Sequence, residues 1–142
     1  MHKILTPFDG SESATRALRY AIKLALENGP LEVHLITVLP EPIIYGEIEV
    51  YVPRQKMEEM QRSRGTEILE PAKSALDAAG VQYMSEIAIG DTAPTICKRA
   101  EELHCDGIVM GTRGMGAIGN LVNGSVATKV VHLTSLPVTL VK

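Results

Sequence analysis

Short apolar runs alternate with helical patterns along almost the whole of this chain, and that alternation limits its fold more than any other feature. Lys3 to Phe8 is a short apolar run, ended by Asp9, Gly10 and Ser11. Ala14, Ala17, Leu18, Ala21 and Ala25 then mark one face of a helix that stops at Asn28, Gly29 and Pro30. Arg16, Arg19, Lys23 and Glu27 lie on its other face. Leu31 to Leu39 is a strand rich in Val, Leu and Ile. Pro53 suits the first residue of the next helix. Met57, Met60, Ile68, Ala72, Ala75 and Ala79 carry that helix to Gly80, with a kink expected at Pro71 and the two methionines expected in the core. Val81 to Ile89 is a third strand. Gly90 to Pro94 opens a helix, capped by Asp91 or Thr92, with Ala93, Ile96, Cys97, Ala100 and Leu103 as its buried face. Asp106 to Met110 is a fourth strand, a glycine-rich segment and a helix to about Thr134 follow, and Pro137 to Lys142 is the last strand.

A helix after nearly every strand predicts an α/β fold, with one doubly wound parallel sheet and helices on both faces. With 142 residues, no internal repeat and no linker, residues 1–142 are expected to form a single domain. Residues 40–53 interrupt the rhythm with three prolines and the acids Glu41, Glu47 and Glu49. They read as a surface excursion, either a lid or partner surface or an insertion packed on itself.

Composition excludes several function classes. A net charge of −3, one Phe and no Trp argue against a nucleic-acid binder, which favours a basic face and stacking rings. No apolar run approaches the roughly 20 residues that cross a bilayer. The N-terminus reaches an acid at Asp9, too early for a signal peptide, so the expected compartment is the cytoplasm. Cys97 and Cys105 form no C-x-x-C pair and read as reduced packing thiols. His2, His34, His104 and His132 are scattered without a ligand spacing, so no metal site is expected of them. The G-x-S-x-G elbow of a hydrolase is absent.

The stretch that carries chemistry is Gly107 to Ala127. Six of the 12 glycines fall between Gly107 and Gly124. The order there is strand, glycine-rich segment, then a helix marked by Val126, Ala127, Val130 and Val131. Such a segment suits an anion, because glycine lets the backbone come close and the helix start presents N–H groups. The residues after Asp106 include Arg113, Lys129 and Lys142 and no carboxylate, which favours phosphate over a metal or an amine.

Two known patterns overlap this stretch without fitting it. Gly114, Gly116 and Gly119 spell G-x-G-x-x-G, but the helix starts later and no acid follows to hold a ribose. Gly119 and Gly124 have the outer spacing of a triphosphatase phosphate loop, but Ser125 stands where the lysine is required. Without that lysine, phosphoryl transfer is poorly stabilised, and binding is better supported than catalysis.

Gly111, Gly114, Gly124 and Ser125 have the spacing G-x2-G-x9-G-S. With Pro7 to Ser11 near the start and Leu136 to Val138 near the end, this resembles the nucleotide-binding branch of the universal stress protein family. The resemblance implies the strand order 3-2-1-4-5, whose connections reverse between strands 1 and 4, so that ligand binds outside their carboxyl ends. It implies ATP as cofactor, with AMP as the alternative and Mg2+ accompanying the phosphates.

In that reading Gly111, Gly114 and Gly124 bring backbone N–H groups to the phosphates, with Thr112 and Val126 flanking them, and Ser125 gives its hydroxyl. Ser125 as a helix cap is the plain alternative. Arg113 either neutralises a terminal phosphate or is an ordinary solvated side chain. Asp9 would line the adenosine pocket, while Asp9 or Ser11 could equally cap the first helix. Pro7, Phe8, Val38 and Met110 would form an apolar slot for the base, although Phe8 is larger than the residue expected there.

Val138 to Val141 would be an open apolar edge, a hazard that pairing of two copies removes. The resemblance implies a homodimer through this strand, against a covered monomeric edge. The function implied is a stress-response or signalling module that binds ATP. The alternatives are a slow nucleotide hydrolase using Asp9 and a metal, or a dimeric scaffold with an empty crevice.

Overall fold

The computed structural model describes residues 2–41, 53–113 and 124–142. The element order is β1 (Lys3–Pro7), α1 (Glu12–Glu27), β2 (Glu32–Leu39), α2 (Arg54–Ala79), β3 (Tyr83–Ile89), α3 (Thr92–Glu102), β4 (Gly107–Gly111), α4 (Ser125–Leu133) and β5 (Val138–Val141). The sheet runs β3-β2-β1-β4-β5 with every neighbour parallel. The alternation of strand and helix therefore predicts the class correctly, and the order matches the one implied by the family resemblance. Most of the 40–53 excursion lies outside the described residues.

Two apolar layers sandwich the sheet. On one side Ile4, Phe8, Val33, Leu35 and Val109 pack against α1 and α2, through Ala17, Leu18, Ala21, Leu69, Ala72 and Leu76. On the other, Leu5, Ile36, Ile108 and Met110 pack against α3 and α4, through Ile96, Cys97, Ala100, Ala127 and Val130. Successive side groups of a strand point to opposite faces, which is why Ile4 and Leu5 serve different layers. Both are fully buried, and each such residue contributes about 1.5–3 kcal/mol.

The bottom of the sheet is clamped by polar contacts. The Asp106 carboxylate accepts N–H bonds from His2 at 2.6 Å and Lys3 at 2.9 Å. Those bonds favour the ionised form and hold its pKa below the usual carboxylate value. Cys97 and Cys105 are free, buried thiols. Burial pushes Cys105 up to about 11 and raises Cys97 as well, so both are protonated packing groups near neutrality.

α2 follows expectation in its extent and departs from it at Met60. It passes through Pro71 as a single helix. Pro71 is exposed, and the helix bond its missing N–H would make is lost. Met60, expected in the core, is 61% exposed. Gln61 Nε2 donates to Pro40 O at 2.8 Å, so the turns before Gln61 lie past the end of β2. The buried face starts only at Gly65 and continues through Leu69, Ala72 and Leu76.

Candidate functional site

β1 and β4 are adjacent, with Ile4 beside Gly107 and Leu5 beside Ile108. From β1 the polypeptide turns into α1 on one face, and from β4 it leads to α4 on the other. Where helices diverge in this way, a crevice opens at the carboxyl ends of the two strands. Nearly all the described candidate residues stand around it.

On the β1 side the turn is closed by its own side groups. Phe8 N–H donates to Ile36 O at 2.8 Å, the last sheet-like bond of this segment. Asp9 Oδ1 accepts Ser11 N–H at 2.9 Å, and Ser11 Oγ accepts Ala14 N–H at 3.1 Å. Gly10, at φ 85°, makes the left-handed step between them. Ser11 is thus the cap of α1, and Asp9 orders the turn before it.

On the β4 side the closure is different. Gly124 is the N-cap of α4 and, having no side chain, gives the helix start no capping bond of its own. Ser125, offered by the sequence as a possible cap, is instead its first residue and is exposed. Gly124 N–H is bonded to Thr112 O, and Thr112 N–H donates to Val141 O at 3.1 Å. Those bonds draw the start of α4 against the end of β4. Across the sheet layer, Cys97 Sγ lies 3.8 Å from Val130 O and joins α4 to α3.

The N-cap residues of α2 and α3, Pro53 and Asp91, likewise make no side-chain capping bond, but the differences matter. The first turns of α2 lie beyond the sheet, and a carboxylate, Asp91, stands at the N-cap of α3. α4 alone among the described helices combines an N-cap residue that has no side chain with a place at the β1–β4 crevice. No acidic residue lies in its first turn, so no carboxylate of α4 itself offsets the partial positive charge of the helix start.

The proposed base slot is divided by the sheet. Pro7 pairs with Ile36, and continuing the β1–β4 register sets it beside Met110. Val38 and Val126 pack against the same α3–α4 layer as Met110. Phe8 does not join them: it is 4% exposed and belongs to the α1–α2 layer. Strand alternation explains this, since Phe8 shares parity with Ile4 and Thr6 while Pro7 shares parity with Leu5. Arg113 is exposed at the end of β4, and Gly114 lies outside the described residues.

Gly111 has a role the sequence did not suggest. A Cβ there would run into Ser13 Oγ and come within 2.7 Å of the Ser13 backbone carbonyl group. The glycine is required for packing of β4 on α1, whatever it does for a ligand. Ser13 itself went unnoticed in the sequence, although it precedes Ala17 and Ala21 at four-residue spacing on the buried face of α1.

A second polar cluster lies away from the crevice. Buried His34 Nε2 is 3.0 Å from Glu86 Oε1, which also accepts from Arg99 Nε at 2.8 Å. Arg99 Nη1 reaches Glu102 at 3.4 Å. The cluster ties β2, β3 and α3 together, and the carboxylates raise the pKa of Arg99. Among the described residues no group of three or more His, Cys, Asp or Glu residues is arranged to hold a metal. No described helix is long and apolar enough to cross a membrane.

Comparison with known proteins agrees with this geometry. The universal stress protein family model matches residues 1–142. Universal stress protein YxiE of Bacillus subtilis is 33% identical over 147 aligned residues, covering 99% of each protein. The solved structure of hypothetical protein MJ0577 superposes with a TM-score of 0.83 at 29% identity, over 99% of this protein and 94% of that one. A universal stress protein family protein from Arabidopsis thaliana, solved with AMP bound, gives a TM-score of 0.72. At 19% identity, over 100% of this protein and 92% of that one, it speaks for the fold alone.

Proposed function

This protein belongs to the universal stress protein family, and from that premise we propose that it binds ATP in the crevice between β1 and β4 and acts as a stress-response or signalling module. The nucleotide is a ligand that biases conformation or partner choice, with AMP as the alternative occupant. The observation that carries this reading is the start of α4. Its N-cap, Gly124, has no side chain to cap it, its first turn holds no acidic residue, and it stands where the sheet connections reverse. N–H groups in that setting attract a phosphate. A protein of the same fold was solved with AMP bound, which makes a nucleotide the ligand class to test first.

In this reading the adenine lies against Pro7, Val38, Met110 and Val126, on the α3–α4 side of the sheet. Phe8 stays in the opposite layer and shapes the slot only from behind. Asp9 takes the ribose or adenine side, and Arg113 with Ser125 faces the phosphate side. Mg2+ fits as a companion of the phosphates rather than as an ion held in a protein cage, because it keeps several waters and takes few protein ligands.

Substituting Gly124→Val tests the assignment. A branched residue at the N-cap blocks approach to the first N–H groups of α4, and Gly124 has φ −67°, so the backbone admits valine. ATP binding, followed by isothermal titration calorimetry, is expected to disappear while the circular dichroism spectrum stays as in the parent. A variant that binds ATP as the parent does would refute the placement of the phosphates.

The same reading includes a homodimer through β5. That strand is at one end of the sheet order, and Val131 and Leu133 on neighbouring α4 are 46% and 55% exposed. Edge pairing between two copies would cover both features. Sedimentation velocity is expected to give a dimer; a monomer at all accessible concentrations would remove this part.

A further inference from the structure

Ser13 lies outside every motif discussed above, yet it touches the end of β4 at two places. It is the second residue of α1 and is 4% exposed. Its Oγ accepts Arg113 N–H at 3.1 Å. The lack of a Cβ at Gly111 is what makes room for that hydroxyl and for the Ser13 backbone, which a Cβ at Gly111 would approach to 2.7 Å. Thr112, between these two residues, is bonded to Val141 O and to Gly124 N–H. The backbone at the end of β4 is therefore tied on three sides: to α1 at Arg113, and to β5 and α4 at Thr112.

We propose that Ser13 is a positioning residue for the anion end of the crevice. Its hydroxyl holds the Arg113 backbone on α1 and so sets where the Arg113 guanidinium stands relative to the start of α4. The proposal rests on the nucleotide reading given above. It follows from how steeply hydrogen bonds depend on geometry: an arginine and a row of helix N–H groups grip one phosphate tail only when both are held at fixed separation. The bond from Arg113 joins α1 to the anion side through the Ser13 hydroxyl. If it served packing alone, its loss would not distinguish ligands with phosphates from those without.

Ser13→Ala removes the acceptor, keeps the helix and leaves the space beside Gly111 open. Parent and variant are titrated with ATP and with adenosine, and their circular dichroism spectra are compared. The expected result is a parent that prefers ATP, and a variant whose ATP affinity falls about five- to tenfold, in keeping with one lost hydrogen bond, with adenosine affinity unchanged. A variant that keeps its ATP affinity, or loses both ligands in equal measure, overturns the proposal and leaves the nucleotide reading standing. A folded parent that takes up neither ligand overturns the nucleotide reading, and this proposal with it. Should Ser13→Ala fail to fold, Ser13→Cys goes through the same two titrations. It has nearly the same shape and only a weak acceptor, so the same outcomes decide.

Discussion

α1 and α4 begin at the carboxyl ends of neighbouring parallel strands, on either side of one crevice, and their first turns are finished in opposite ways. At α1 the sequence supplies everything: Asp9 binds Ser11 N–H, Ser11 binds Ala14 N–H, and Glu12 lies in the first turn. At α4 it supplies a glycine, a serine that does not cap, and no acid. A helix start leaves up to four N–H groups without helical partners. Where the sequence satisfies them, the turn is scaffold; where it does not, a ligand can complete the helix. That contrast, more than the number of glycines, separates the two rims of the crevice.

The strongest way to break the contrast is to give α4 the cap that α1 has. Gly124→Asp puts a carboxylate where the phosphate is proposed to sit and lets it accept the same N–H bonds. Replacing glycine by aspartate at an N-cap changes stability by only a few tenths of a kcal/mol, so the protein should melt at or slightly above the parent temperature. ATP binding should fall by about a hundredfold, the equivalent of two charge-assisted bonds of roughly 1.5 kcal/mol each. Calorimetry of ATP binding beside a thermal melt reads both. Unchanged ATP affinity would mean that the start of α4 is not the anion site.

The next test sharpens the contrast by asking what holds the two rims together. Gly111→Ala drives a methyl group into Ser13. Overpacking of this kind costs about 1–3 kcal/mol, and it should appear as a lower urea midpoint with an unchanged slope. Since β4 must also shift off α1, ATP affinity should weaken together with stability. A variant as stable as the parent would show that β4 and α1 can separate freely.

Much of this was legible from residue patterns, and the failures have physical causes. The alternation of strand and helix predicts every described element, with ends within about two residues, because buried parallel strands and amphipathic helices have distinct periods. Periodicity does not report where a helix projects beyond the sheet, so Met60 reads as core when it is exposed. Phe8 is grouped with Pro7, Val38 and Met110 by the family resemblance, although strand alternation sets it on the other face of the sheet. The glycine segment points to the neighbourhood of the proposed site, but not to the fixing of Gly111 by Ser13. That constraint joins residues about 100 positions apart and leaves no local trace.

The smallest expected effect isolates the closed rim. Ser11→Ala removes the Oγ that accepts Ala14 N–H while leaving the Asp9 carboxylate with its bond to the Ser11 backbone N–H. Losing an N-cap hydroxyl costs typically about 1 kcal/mol, or a few degrees in melting temperature for a protein of this size. If α1 is scaffold and α4 is the ligand side, that cost falls on stability and not on binding: ATP affinity per folded molecule should stay within about twofold of the parent. The pairing of this variant with Gly124→Asp is what gives each its meaning. One removes a cap and should lower the melting temperature without touching the nucleotide; the other adds a cap and should expel the nucleotide without lowering it. Were Ser11→Ala to cost ATP affinity as much as Gly124→Asp does, the two helix starts would be equivalent parts of one site, and the division between scaffold rim and ligand rim would be wrong.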